Sequence, residues 1–288
     1  MACAFALLAA LALCGCGSSE TQAAFSPTFQ GVEYSEDALY GTPDAGIDVS
    51  HASQGYVCAV ANSQSKLKLQ VICGSSSAAY DMESDGSPTY VPLAFGNGSY
   101  TLNIMQNTSG ERYVPLYSIT AEVSLEDEFQ PFIRPNYFCW YTQDGGCATT
   151  ARQLTEGAAT QTEALQAIYD YVVENVVYDY EKASTLGSGA GYVPNPEETL
   201  ETGMGICSDY ASVAAAMLRS VCIPAKVVCG KLPTMKSNHA WNMVYVDGSW
   251  QAVGVDVVAG TWSRIDPTFA ASMDSIQEDL EYEDGTVY

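Results

Sequence analysis

The pattern of apolar residues changes character midway along the chain. From Gly41 to about Pro135 it comes in short runs rich in β-branched and aromatic residues: QGYVCAVAN, KLKLQVIC, PTYVPLAF, SYTLNIMQ and RYVPLYSITAEVSL. Turn-forming stretches such as NSQS, GNG and NTSGE separate them. In SYTLNIMQ, Tyr100, Leu102 and Ile104 alternate onto one face, the spacing of a half-buried strand. Short strands at close intervals with Gly, Asn and Ser turns predict an all-β, sandwich-like unit. After Cys147 the period lengthens. Leu165, Ile168, Val172 and Val176 recur at spacings of three and four, which is one face of a helix, and Thr160 or Thr162 is placed to cap it.

A second helix is written in GMGICSDYASVAAAMLRSVCIPA, Gly203 to Ala225. Tyr210, Ala214, Met217 and Val221 share one of its faces, and it must stop before Pro224. AKVVCG then reads as a buried strand. HAWNMVYV and SWQAV flank Asp247-Gly248, a hairpin signal. Helices followed by strands predict an α+β domain with segregated elements. The expected organisation is an export signal over 1–16, a polar tether over 17–40, a β-sandwich-like domain over 41–136 and an α+β domain over 137–288.

Charge narrows the functions open to this chain. It carries 11 Lys and Arg against 34 Asp and Glu, a net charge of −23. Nucleic acid is excluded as a partner, because phosphate binding needs clustered Lys and Arg. Anionic lipid headgroups are disfavoured for the same reason.

The first residues, MACAFALLAALALCGCGSSE, hold an apolar run from Ala4 to Cys14. It falls short of the ~20 residues that cross a bilayer and fits the apolar region of an export signal, although no Lys or Arg precedes it. LCGC, ending at Cys16, resembles the bacterial lipobox. That resemblance implies a lipid on Cys16, membrane attachment through it, and an extracytoplasmic location. Of ten cysteines, removing Cys3, Cys14 and Cys16 leaves seven, an odd number. With Cys207 free, six remain to pair in an oxidising compartment. Cys139–Cys147, Cys222–Cys229 and Cys58–Cys73 are the local candidates. No CxxC spacing marks a zinc site. The acidic stretch QEDLEYEDG reads as a solvated tail without calcium-loop spacing. No metal or cofactor is expected.

The chain has two histidines, His51 and His239. A cysteine nucleophile needs a general base, most often His. His51 lies in the β region without a nucleophile at a useful spacing. His239 follows the helix that opens at Cys207. A helix start favours an anion, and therefore the thiolate form of a cysteine placed there. Taken singly, Cys207, His239 and Asp266 are each more often structural residues.

Together, and in this order, GICSDYA, HAW and WSRIDPT resemble the marks of the bacterial transglutaminase-like superfamily, relatives of the papain-like thiol enzymes. The first falls on Gly205, Cys207, Tyr210 and Ala211, the second on His239 and Trp241, the third on Trp262, Asp266 and Thr268. SVCIPAKVV is similar to the link that follows the family's helix, with Cys222 where the family has Gly. The resemblance covers about residues 160 to 272. It implies a papain-like catalytic domain with a Cys207–His239–Asp266 triad, and it favours Asp266 over Asp256 as third member. The backbone N–H of Cys207 would serve the oxyanion, with Asn195 or Tyr192 as upstream candidates. Asp209 is expected to point away from the sulfur. The implied function is a cell-surface thiol enzyme that attacks amide bonds and forms a thioester, released by water (peptidase or amidase) or by an amine (transglutaminase). Protein or peptide is the implied substrate, cell-wall peptide among the candidates. A catalytically inactive peptide- or cell-wall-binding lipoprotein is the alternative.

Overall fold

The computed structural model describes residues 25, 27–187, 191–233, 235, 237–252, 255–272 and 280–288. The expected signal segment, its Cys16, and residues 17–24 and 26 of the expected tether lie outside them.

Eight strands come first: β1 (Leu39–Thr42), β2 (Ala45–Asp48), β3 (Tyr56–Ala61), β4 (Leu67–Cys73), β5 (Ser76–Met82), β6 (Thr89–Pro92), β7 (Gly98–Ser109) and β8 (Arg112–Val123). They form two antiparallel sheets, ordered β1-β2-β3-β6 and β5-β4-β7-β8. Ile47, Val57 and Ala59 of the first sheet share one core with Leu69, Val71, Leu102 and Ile104 of the second. Each sheet turns one apolar face to the other, which makes a sandwich. Tyr100, Leu102 and Ile104 are all fully buried, as their alternation predicts.

The second half begins with α1 (Gly146–Leu154), α2 (Gln161–Asn175), β9 (Val177–Tyr178), α3 (Tyr180–Leu186), α4 (Pro196–Thr202), β10 (Met204–Gly205) and α5 (Cys207–Ser220). It continues with β11 (Ala225–Lys231), β12 (His239–Val244), β13 (Trp250–Ala252), β14 (Val255–Val257), β15 (Ser263–Ile265), α6 (Pro267–Ser272) and β16 (Glu283–Val287). Thr160 caps α2, its hydroxyl accepting from the Glu163 N–H at 3.1 Å. Every residue of α5 from Asp209 to Ser220 is buried. The helix packs against β11 and β12 on one side and against α1, α2 and α4 on others. Its run of alanines allows this, because small side chains let neighbours approach from all directions. Asn242 of β12 comes close enough to donate to the Ala211 carbonyl inside the helix at 2.8 Å. α5 ends as Pro224 requires. Cys222 takes φ 56°, and the Ile223 N–H donates to Leu218 O at 3.0 Å. Cys222 is the sole described residue other than Gly with positive φ. It adopts the left-handed helix end that glycine supplies without strain.

Four sequence expectations are corrected. Asp247-Gly248 does not join a hairpin of the two flanking strands. β12 is already paired on both edges, by β11 and β15, so β13 pairs with β14 instead. The acidic stretch is not wholly a solvated tail. Its described end, with Thr286 and Val287, forms β16 on the outer edge of β11. Gly230 permits that approach, since a Cβ there would sit 2.1 Å from the Glu283 carbonyl. From Pro27 on, the expected tether is held against the body. Phe29 meets Tyr141 edge-on at 5.9 Å, Gly31 O accepts from Arg134, and β1 starts at Leu39. Lastly, all seven described cysteines are free thiols. Cys58 and Cys73 lie on strands of different sheets. The Cys139 thiol donates to Ser212 O and the Cys222 thiol to Thr28 O.

Arg219 ties the halves together. It is fully buried and donates to Ala225 O (2.7 Å), Arg134 O (3.1 Å) and Tyr288 O (2.6 Å). Three carbonyls in different directions suit the planar fork of a guanidinium, not the point charge of an ammonium. Arg219→Lys is therefore expected to cost about 2–4 kcal/mol, measured by urea unfolding, because buried acceptors lose charged donors.

Candidate active site

The site is built on the start of α5. Asp209, one turn inside the helix, folds its carboxylate back to accept the Ile206 N–H at 2.8 Å. This satisfies one of the donors that a helix start leaves unpaired. Gly205 is required beside it, since a Cβ at that position would lie 2.5 Å from Asp209 Cβ. Tyr210 anchors the same turn by donating to Val176 O, at the end of α2. Cys207 is thereby fixed as the first residue of α5, half-buried, with its N–H unable to reach any carbonyl within its own helix.

Asp209 is fully buried, and a buried charge needs partners. Lys182 Nζ of α3 lies 2.8 Å from its Oδ2, and the Tyr192 hydroxyl donates to Oδ1 at 2.6 Å. The carboxylate is thus paired with an ammonium and a hydroxyl as well as the Ile206 N–H.

His239 opens β12 and is 2% exposed. Its Nε2 lies 2.7 Å from Asp266 Oδ2. Cys207 and His239 line the same cavity. Phe269 stacks on the ring with centroids 4.5 Å apart and planes 14° from parallel. Burial opposes a charge on His239, but hydrogen bonds with Asp266 and Cys207 outweigh it and push its pKa up to about 9. Asp266 sits between β15 and α6. Its Oδ1 accepts the Phe269 N–H, and its Oδ2 also accepts the Tyr282 hydroxyl at 3.0 Å.

Cys207, His239 and Asp266 thus come together. Asp256 does not join them. It is exposed on β14 and accepts from Gln251. His51 lies in the sandwich, stacked on Tyr56 at 5.2 Å. Of the upstream candidates, Tyr192 is engaged by Asp209, and Asn195 caps α4 through the Glu198 N–H. Neither is placed as an oxyanion donor.

Lys182, Tyr282 and Cys229 escaped the sequence reading. Cys229 lines the same cavity as Cys207, and burial, with Cys207 nearby, pushes its thiol up to about 12. The sequence signal for Tyr282 was the pair of aromatics, Tyr282 and Tyr288, bracketing an acidic run. Lys182 carries no such signal in a single sequence.

Cys207, His239 and Cys229 line a cavity of about 490 Å³. Tyr178 and Tyr180 line one flank, Phe269 and His239 another, and Tyr137, Phe138 and Tyr288 the side toward the sandwich. A polar pair at the floor of an aromatic-walled cleft is the usual build of a small-molecule or peptide site.

A profile of the transglutaminase-like superfamily matches residues 148–255, which include Cys207 and His239 and stop short of Asp266. No curated protein matches the sequence. Among solved structures, the chain is similar to a Cytophaga hutchinsonii protein described as a candidate cysteine protease, at 18% identity over 80% of this chain and 81% of that one, TM-score 0.37. It is similar to red sea bream transglutaminase at 14% identity over 76% and 48%, TM-score 0.32. For a candidate protease of Parabacteroides distasonis the values are 15%, 70% and 42%, TM-score 0.27. The chain therefore spans less than half of the latter two proteins. The likeness rests on the profile: residues 148–255 of this chain match the transglutaminase-like superfamily.

Proposed function

We propose that this protein is a thiol enzyme that cleaves or transfers amide bonds through Cys207, His239 and Asp266. The observation that carries this reading is the placement of His239, which lies 2.7 Å Nε2-to-Oδ2 from Asp266 and lines one cavity with Cys207.

The chemistry follows from that arrangement. The Cys207 thiolate adds to the carboxamide carbon, and the carbonyl π pair moves to oxygen. The Cys207 N–H, free within its helix, donates to that oxyanion. As the tetrahedral species collapses, His239 gives its proton to the leaving amine and a thioester remains on Cys207. Neutral His239 then takes a proton from the second nucleophile, water or an amine, and the thiolate departs. Asp266 holds the ring orientation and stabilises the imidazolium. Support for the thiolate–imidazolium pair comes from His239, which keeps its proton to about pH 9. A binding protein without turnover remains the second reading. Rapid alkylation of Cys207 by iodoacetamide at neutral pH separates the two.

Cys207→Ala and His239→Ala are each expected to abolish turnover of peptide amides. The double variant should be no worse, since the two act as one unit. An active Cys207→Ala protein would defeat the proposal.

Asp266→Asn should leave a folded protein with turnover lowered by about 10³-fold or more. Asp256→Asn should change little. The pH profile gives an independent reading. His239 is fully protonated below its ordinary value of 6.5 and loses its proton as pH rises through about 9. The alkaline limb of kcat/KM is thus expected near 9 and should move down toward 6.5 in Asp266→Asn. A limb that does not move would remove Asp266 from the mechanism.

We also propose that the protein is exported and held at the membrane by a lipid on Cys16, supported by LCGC and the polar GSSETQ after it. Cys16→Ser should release the protein or leave its precursor unprocessed, read by membrane fractionation and intact-mass spectrometry. A native N-terminus beyond Cys16 would overturn this.

A further inference from the structure

A second cavity, of about 620 Å³, adjoins the first. Asp81, Tyr137 and Val193 line both, so a chain leaving Cys207 along this wall passes from one into the other. Its far end is an aromatic platform. Trp140 stacks on Tyr90 with centroids 5.5 Å apart and planes 21° from parallel, and Trp140 is 43% exposed. Glu83 lines the same cavity, exposed on the loop that follows β5.

The rest of the molecule shows how it treats such rings. Lys226 lies 3.7 Å over Trp262, Arg264 3.7 Å over Tyr282 and Lys182 4.8 Å over Tyr192. Among the described residues, no Lys or Arg of this chain lies over Trp140 or Tyr90. The carboxylates divide in the same way. Asp81 is paired with Lys68 at 2.8 Å, whereas Glu83 has no ion-pair partner among the described residues. An exposed indole face sharing a cavity with an unpaired carboxylate is a receptor for a cation, and the net charge of −23 draws cations to it.

We propose that this second cavity is a subsite for a cationic side chain, lysine or arginine, carried by the peptide whose carboxamide reaches Cys207. The sandwich thereby selects the substrate, with Trp140 and Glu83 as its specificity residues. This rests on the reading of Cys207 as the point of amide attack.

Binding can be measured without turnover, in the full chain carrying Cys207→Ala. The probes are short acetylated and amidated peptides with one glutamine and, at varied separation from it, one lysine, norleucine, tyrosine or glutamate. The best lysine peptide is expected to bind about tenfold more tightly than its norleucine counterpart, a preference that added salt weakens. Glu83→Gln, an exposed substitution that leaves the fold intact, and Trp140→Leu should each remove most of that preference. Norleucine or tyrosine binding as well as lysine would overturn the proposal, as would a lysine preference unchanged in Glu83→Gln. Alkylation of Cys207 in the native chain keeps the two readings apart. A slow thiol with an intact lysine preference sinks the enzyme reading, and a fast thiol without the preference sinks the subsite alone.

Discussion

The organisation of the site depends on one buried carboxylate. Asp209 closes the first turn of α5 onto the Ile206 N–H, and Cys207 stands where it does because that turn is closed. The cost of burying the charge is offset by Lys182 and Tyr192, which come from the segment lining one wall of the cavity. Helix start, wall and nucleophile are therefore mechanically one object. A carboxylate so close to a thiolate would ordinarily oppose it. Here that charge is paired with the Lys182 ammonium.

A second constraint is the crowding of α5. A helix buried on every side cannot use polar residues for solubility, and its Ala-rich interior is what lets β11, β12, α1, α2 and α4 all touch it. Arg219, buried near the far end of the helix, is used as a joint. It gathers carbonyls from the segment between the halves, from β11 and from Tyr288. Aromatic packing adds to that joint, with Phe138 and Tyr288 stacked at 4.0 Å and Tyr80 against both Tyr137 and Tyr288.

What a single sequence reveals here follows the range of the interaction. Alternation in β7, the period of α2, its Thr160 cap and the stop before Pro224 are local, and each is legible. Cys207, His239 and Asp266 stand out in the sequence through the family resemblance of their motifs, since each taken singly is more often structural. Strand partnership is not local. Asp247-Gly248 has the right residues for a hairpin, yet β15, arriving later in the chain, takes the edge of β12 that the hairpin needed. β1, β2 and β5 are short or polar and carry little periodic signal. The cysteine pairings failed for a related reason, since nearness in sequence says nothing about which way two side chains point. Lys182 and Tyr282 serve the site at second hand, through Asp209 and Asp266, and such support leaves no offset to read.

The lateness of Asp266, Tyr282 and β16 in the chain has a consequence for timing. During synthesis, α5 and β12 emerge with Cys207 and His239 before the residues that orient the imidazole. Until residues past 280 arrive, Asp266 lacks the Tyr282 hydroxyl and β11 lacks its outer neighbour. Cys207 and His239 are thus made in an unassembled state, and their full surroundings come into being only as β16 docks.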